Sequence, residues 1–459
     1  MVKFNKKKKH IFIQVQFIII FIITCYFIFF ATSCSASAND IMVDNIDVSE
    51  EKDTLFTYHQ NVQKPNVLLI IADDMGMDAT PYATLLSSIK PTMPNLDHLT
   101  QNGVRFNNAW AYPLCTPTRA SILTGKHAVS TNMLSPGDVI NLNETSLQTF
   151  INNNGTTPYA TALLGKWHLS TNSSDPEKLG IDSYKGNTRG GLNDYYNWTL
   201  QEDGINTSIT NYYGTTAYTD YAIDWINNQT EPWFCWLAYN AAHSTFHTPK
   251  DESLYTHEGS STLDMYIQML EAMDTEIGRL LNSIPPDELA NTTIIFVGDN
   301  GTPSQVAQSP FSRGKAKGSL YNGGVNIPLI VAGANVSRKN ESDDSLIQTT
   351  DLFATIADIC NVTNHDINES ISFKPLLSQS IKHARQFSFS EVLANGPSFG
   401  GYTVRNHQYK LIYNEDLQES YLFDVMNDYA ETINLYDGNL SDEEQNAFDA
   451  LQAEASRIK

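Results

Sequence analysis

Cys115 opens the run Cys115-Thr116-Pro117-Thr118-Arg119-Ala120-Ser121-Ile122-Leu123-Thr124-Gly125-Lys126, which sets a thiol four residues ahead of a guanidinium. A thiol can act as a nucleophile, although a lone one is more often buried and inert. Asp73-Asp74 follow the apolar run Asn66-Val67-Leu68-Leu69-Ile70-Ile71-Ala72, and Gly298-Asp299-Asn300-Gly301 follow Thr293 to Val297. By itself an Asp-Asp pair behind such a run is usually a turn or a helix cap. Paired with a second acid-amide doublet behind another run, it becomes an all-oxygen set that suits a hard divalent cation. Gly165-Lys166-Trp167-His168, Asn240-Ala241-Ala242-His243-Ser244 and Lys315-Ala316-Lys317 add cations and imidazoles. Imidazoles carry protons near neutrality, and lysines neutralise anions.

Four apolar runs rich in branched residues must position these groups: Asn66 to Ala72, Tyr159 to Leu164, Trp233 to Tyr239 and Thr293 to Val297. Continuous apolarity marks parallel strands covered on both faces, and in open α/β sheets sites form at the carboxyl ends of the strands. Helical patterns lie between them, as in Met93 to Asn102, closed by Gly103, and Leu263 to Leu281. The expected core, over residues 64–385, is therefore α/β: a doubly wound mixed or parallel sheet sandwiched by helices. From 386 to 459 the texture changes to short aromatic-rich strands at Phe387 to Phe389, Tyr402 to Val404, Tyr409 to Tyr413 and Tyr421 to Phe423. A last helix opens on the capping-box pattern Ser441-Asp442-Glu443-Glu444, which predicts a smaller antiparallel α+β subdomain.

The chain has 459 residues and a net charge of −22, which excludes nucleic-acid binding through its general surface. An anionic substrate must then meet a local basic pocket. Five cysteines, at 25, 34, 115, 235 and 360, are too few and too scattered for a disulfide framework or a zinc site of CxxC spacing. Lys3 and Lys6 to Lys9 ahead of the apolar stretch Ile11 to Phe30 read as an export signal over residues 1–33, with a retained membrane anchor as the alternative. Ala31-Thr32-Ser33-Cys34 is similar to a bacterial lipobox. A lipid on Cys34 would hold the protein to the membrane as a cell-envelope lipoprotein, in the periplasm or at the outer-membrane surface. Cleavage after Ala36-Ser37-Ala38 would instead secrete a soluble protein. Residues 34–63 read as a tether. Loss of residues 1–33 removes five lysines and no acid, and takes the charge to −27.

The segment around Cys115 resembles, nearly letter for letter, the signature of type I sulfatases, C/S-x-P-S/T-R followed by A-S-x-L-T-G. The resemblance runs from about residue 64 to 437 and implies an alkaline-phosphatase-like fold. It further implies that a maturation enzyme oxidises Cys115 to formylglycine, whose hydrated aldehyde attacks sulfur and whose second hydroxyl later expels sulfate. Asp73, Asp74, Asp299 and Asn300 resemble the family's four protein ligands for one divalent cation, usually Ca2+, which also meets the oxygen at position 115. Lys166 and His168 match its second motif and His243 its third. By the same resemblance His243 protonates the leaving alcohol, a task for a donor poised near neutral pH. Arg119, Lys166 and Lys317 neutralise sulfate oxygens and the diol, and His168 steadies the hydrate. The pattern Lys-Gly-Ser/Thr selects Lys317 over Lys315. Two positions depart from the family: Asn322 stands where Glu is usual and Asn326 where Arg is usual, as though an ion pair had been lost as a unit.

The expected function is hydrolysis of a sulfate ester on a carbohydrate, such as an algal or host polysaccharide fragment, by an exported enzyme. Two readings compete with it. One is a formylglycine-dependent phosphodiesterase or phosphonate monoester hydrolase; the other is a catalytically silent glycan-binding surface lipoprotein. Arg189, Tyr195, Tyr196 and Trp198, in the insert from Ile181 to Tyr213, and His247 are candidate sugar contacts.

Overall fold

The computed structural model describes residues 64–83, 89–311, 314–362, 367–393 and 400–459. The expected export signal, the lipid-bearing Cys34 and the tether lie outside them. Among the described residues no helix is long and apolar enough to cross a membrane.

Ten strands form one sheet: β1 (Asn66–Ala72), β2 (Gly103–Trp110), β3 (Ala160–Lys166), β4 (Ser183–Asn187), β5 (Trp198–Glu202), β6 (Ile205–Ile209), β7 (Trp233–Ala238), β8 (Thr292–Gly298), β9 (Leu329–Gly333) and β10 (Glu341–Gln348). Their order is β10-β2-β9-β8-β1-β7-β3-β4-β5-β6. The middle block β8-β1-β7-β3-β4 is parallel throughout. β9 runs antiparallel to both β8 and β2, and β5 and β6 extend the far side as a hairpin. The four apolar runs are thus the adjacent strands β8, β1, β7 and β3, so their carboxyl ends lie side by side.

The sheet is covered on both faces, as unbroken apolarity requires. Val67, Leu69 and Ile71 of β1 pack in one core with Ala120, Ile122 and Leu123 of α1 (Cys115–Thr124) and with Leu352, Phe353 and Ile356 of α3 (Asp351–Ile359). Leu68, Ile70 and Ala72 face the opposite core, with Ile267, Leu270, Met273 and Ile277 of α2 (Thr262–Ser283). The α2 start is sharp because Ser261 and Asp264 form a capping box.

A second, four-stranded antiparallel sheet follows: β11 (Ser388–Val392), β12 (Gly401–Arg405), β13 (Tyr409–Asn414) and β14 (Glu419–Asp424). The last helix, α4 (Asp442–Ile458), opens on the Ser441/Glu444 capping box and lays Phe448, Leu451 and Ala455 against Phe389, Val404, Leu411 and Leu422. Val392, Ile412, Phe423 and Val425 pack instead against Leu114 and Leu320, neighbours in sequence of Cys115 and Lys317. The expected fold class is the observed one.

β3 approaches its neighbours closely at Gly165, which has φ +101° and sits between Ala238 of β7 and Gly186 of β4. A Cβ there would lie 2.0 Å from the Ala238 carbonyl oxygen. Gly165→Ala should therefore cost about 3 kcal/mol, from backbone strain and overpacking together, read as a lowered midpoint of urea unfolding.

Candidate active site

Residues from four strand ends meet around three carboxylates that are 0–2 % exposed. β1 runs straight into Asp73, whose N–H donates to Ala241 O at 2.9 Å and whose carbonyl accepts from Ala242 N at 2.8 Å, so β1 and the turn after β7 are tied together. Asp74 adopts φ +63°, a strained turn that aims consecutive carboxylates into one space. Its N–H donates to Asp299 Oδ1 at 3.1 Å, and Asp299, just after β8, donates its own N–H to Ala72 O. Asn300 Nδ2 donates to Asp74 Oδ1 at 2.8 Å. Outside the sequence motifs, Tyr266 of α2 donates its hydroxyl to Asp74 O at 2.8 Å; one tyrosine in an amphipathic helix offers no signal of that task.

Three cations balance these charges. Lys166 Nζ donates to Asp73 Oδ2 at 2.6 Å, and both are fully buried. Arg119 spends its whole guanidinium: Nε and Nη2 on Asp299 Oδ2 at 3.1 and 2.8 Å, and Nη1 on Lys166 O at 2.9 Å. Lys317 Nζ donates to Asp74 Oδ1 and is the least buried of the three cations, at 18 % exposed. Lys315 turns away, donating to the Ala430 carbonyl at 3.1 Å and to Glu431 O, so the structure selects Lys317 as expected. Arg119 and Lys166 are paired with carboxylates in this structure.

Cys115 is the first residue of α1, where backbone N–H groups are free and favour an anion. Asp73, Cys115 and Asp299 offer ligand atoms that all lie within 4.8 Å of one another. Cys115 Sγ lies 3.1 Å from His168 Nδ1, and Thr116 Oγ1 donates to the His168 carbonyl, holding a residue with φ +56°. His243 Nδ1 is 2.7 Å from Ser244 O and so carries its hydrogen there, leaving Nε2 free at 4.0 Å from Asp74 Oδ2. Tyr195 fixes that turn, its hydroxyl 2.6 Å from Asn240 O and 2.8 Å from His243 O.

The electrostatics follow from burial and pairing. Burial pushes Asp73 well above the usual carboxylate range; Lys166 opposes it, while Asp299 and Asp74 add to it. For Asp74 burial is outweighed by Lys317 and His243, and for Asp299 by Arg119 and Lys166, so both are held low. Burial, with Lys166 and Arg119, pushes His168 down to about 2. Burial also takes His243 down to about 4, with Asp74 opposing and Lys166 and Lys317 reinforcing. His243 is therefore a neutral acceptor here rather than a donor poised near neutrality, and needs an anion between itself and the two lysines to take a proton.

Asp73 Oδ1 and Asn300 Oδ1 are buried and accept no hydrogen bond. Two orphaned oxygens converging with Asp74 and Asp299 are costly without a cation and fit a hard one.

Asn322 and Asn326 do not face each other, which corrects the expectation of a lost mutual ion pair. Asn322 bonds Tyr429 O at 2.9 Å and accepts from Lys410 Nζ at 3.2 Å; Asn326 bonds Tyr429 OH at 2.9 Å and Asn107 O at 3.3 Å. The buried charges nearby are Lys410 and Glu431, 2.6 Å apart, with Glu431 also accepting from Asn322 N. Among the candidate sugar contacts, Trp198 is core, its ring against Tyr218 and its Nε1 bonded to Tyr212 O. Tyr195 is buried, Arg189 exposed, and Tyr196 and His247 are half-buried. The insert leans on both imidazoles: a Cβ at Gly190 would sit 2.8 Å from the His168 ring, and one at Gly191 2.7 Å from His243 Nδ1.

A family model described as Sulfatase matches residues 65–362. The chain belongs to the sulfatase family. A model described as N-sulphoglucosamine sulphohydrolase, C-terminal, matches residues 316–456 and takes in the second sheet. Arylsulfatase J of Mus musculus is 26 % identical over 344 residues, covering 67 % of this chain and 56 % of that protein. N-acetylgalactosamine-6-sulfatase of Homo sapiens is 27 % identical over 341 residues, 66 % and 63 %. The chain thus spans less than two thirds of those relatives' length, whereas a sulfatase of Formosa agariphila, 24 % identical, is covered to 86 %. Among solved structures, Ps i-CgsB in complex with k-i-k-neocarrahexaose superposes with a TM-score of 0.75 at 22 % identity, over 86 % of this chain and 92 % of that one. BT4656 in complex with its substrate D-glucosamine-2-N,6-O-disulfate gives 0.71 at 20 %, over 86 % and 98 %. These likenesses place the fold among sulfatase structures.

Two measurements check the site's physics. Calcium at a hundredfold excess over its Kd should raise the unfolding free energy by about 2.7 kcal/mol, and Asp73→Asn should abolish that gain. Glu431→Gln, which strands Lys410, should cost about 3 kcal/mol in chemical denaturation.

Proposed function

We propose that the protein hydrolyses a sulfate ester of a carbohydrate, with Cys115 oxidised to formylglycine and one calcium ion held by Asp73, Asp74, Asp299 and Asn300. The observation that carries this reading is the seat of Cys115, within 4.8 Å of carboxylate oxygens of Asp73 and Asp299 and 3.1 Å from His168 Nδ1. An oxygen group at that position would share a hard cation with both acids, which suits oxygen better than sulfur. When bound, the ion lowers the repulsion between an oxygen nucleophile at position 115 and an anionic ester.

The chain's other groups divide the remaining work. Lys166, paired with Asp73, would be free to turn toward the ester where a cation shared that carboxylate, while Arg119 keeps Asp299 aligned. Lys317, at the mouth, meets the ester oxygens first. The ester's own negative charge raises the affinity of His243 Nε2 for a proton, which it passes to the leaving oxygen. His168 Nδ1 steadies the group at position 115. The sulfatase relatives and the saccharide-bound structures of the same fold support a sulfated carbohydrate as substrate. Export, with a lipid on Cys34 anchoring the protein in the cell envelope, and a maturation enzyme acting on Cys115 complete the proposal.

Protein co-produced with a maturation enzyme should show an aldehyde at position 115 by peptide mass spectrometry. Cys115→Ala should lose about a thousandfold or more in turnover and keep the thermal transition of the parent. Full activity with an intact thiol would overturn the mechanism. In paired assays of one alcohol's sulfate and phosphate esters, the sulfate ester should be the better substrate; the reverse order would install the phosphodiesterase reading.

A further inference from the structure

Beside the site, a cavity of about 320 Å3 is walled by the insert and by the segment after His243, with Asn193, Tyr196, Thr245, His247 and Lys250 in its lining. It is joined to the reacting centre through Tyr195, which bonds the His243 carbonyl and lies against His247 at a tilt of 43° with ring centroids 4.6 Å apart. Lys250 is exposed at the rim of this cavity and is held there by local contacts. Its Nζ lies 4.0 Å from the Tyr196 ring centroid and 3.3 Å from Asn211 Oδ1, and its backbone N–H donates to Tyr196 OH at 2.6 Å. Tyr196 cannot serve as a stacking platform for a sugar, because its faces are taken by Lys250 and by Tyr213.

Lys250 therefore has neutral partners only; among the described residues no carboxylate is within 4.0 Å of its Nζ. The acid nearest in the lining, Asp194, is turned into its own loop, accepting from Tyr196 N, Asn197 N and Asn197 Nδ2 at 2.7–3.1 Å. In a chain of net charge −22, an ammonium held against Tyr196 and Asn211 beside the active site, with Asp194 near enough to interact but forming no ion pair, is open to a second anion. His247 adds an acceptor: its Nδ1 is 3.0 Å from Thr245 O, and its buried Nε2 has no partner.

We infer that this cavity receives the neighbouring sugar of the substrate and that Lys250 binds a second anionic group, a sulfate or a carboxylate, on that sugar. The inference rests on the sulfated-carbohydrate reading and narrows it to acidic oligosaccharides carrying at least two charges.

The test uses full-length matured protein and three kinds of substrate: an aryl sulfate, a disaccharide sulfated once, and disaccharides with the same reactive sulfate plus either a sulfate or a uronic acid carboxylate on the neighbour. Wild type should favour the doubly charged disaccharides. Lys250→Ala should lose about tenfold in kcat/KM on those, through KM, with aryl sulfate unchanged within twofold; Lys250→Arg should recover most of the loss. The two doubly charged arms show which anion is taken. Equal losses on all substrates, or no loss on the doubly charged ones, would overturn the inference. Binding is measured separately by calorimetry in the Cys115→Ala background, where Lys250→Ala should weaken the doubly charged disaccharide tenfold. If wild type turns over no sulfate ester while that affinity difference persists, the sulfatase reading fails and the receptor stands.

Discussion

Everything in the catalytic half of the molecule answers to one electrostatic constraint: three carboxylates, those of Asp73, Asp74 and Asp299, share one buried space. Isolated buried anions are prohibitively expensive, so each has been given a cation, Lys166, Lys317 and Arg119 respectively. Those pairings dictate topology. Lys166 can reach Asp73 only because β3 lies one strand away from β1, across β7, and Arg119 can reach Asp299 only because α1 crosses the carboxyl ends of the strands. The balance of three against three is neutral before any metal enters. A divalent cation would tip the cluster to a net positive charge, the state in which it attracts a sulfate.

Burial is graded across the site in a way that separates duties. Asp73, Lys166, Arg119, Asp299 and Asn300 are sealed, whereas Lys317 and His243, at 18 % and 23 % exposed, form the mouth. The sealed groups set the local field, and the mouth groups are the ones open to the outside. The insert beyond β3 then narrows that mouth with two glycines, because nothing larger fits against the rings of His168 and His243.

Much of this was legible in the residues. The runs that became β1, β3, β7 and β8 were recognisable within two residues at each end, because strands buried on both faces have no polar positions to confuse the pattern. The charged and imidazole residues of the motifs do converge at their carboxyl ends. Other features left no trace: β10 is Glu341-Ser342-Asp343-Asp344 at its start, an edge strand too polar to stand out, and the reversed β9 sits between strands that periodicity alone would make neighbours. The partners of Arg119, the separate bonds of Asn322 and Asn326, and the burial of Trp198 are all set by tertiary packing, which spacing along a chain does not encode. Asn322 shows why: its side chain bonds the Tyr429 carbonyl and Lys410, roughly ninety to a hundred residues further along the chain.

The position of β1 carries a cost in time. Among the described residues it is the first strand to be made, yet it sits between β7 and β8, which leave the ribosome roughly 160 and 220 residues later, on the order of 10–40 s at ordinary rates of synthesis. During that interval Val67 to Ala72 is an aliphatic ribbon with two open edges, the kind of segment to which other chains add themselves. The same centrality that lets Asp73 and Asp74 gather ligands from both sides makes the nascent chain vulnerable. A strand completed so long before both of its neighbours is one whose edges the growing chain has to shield.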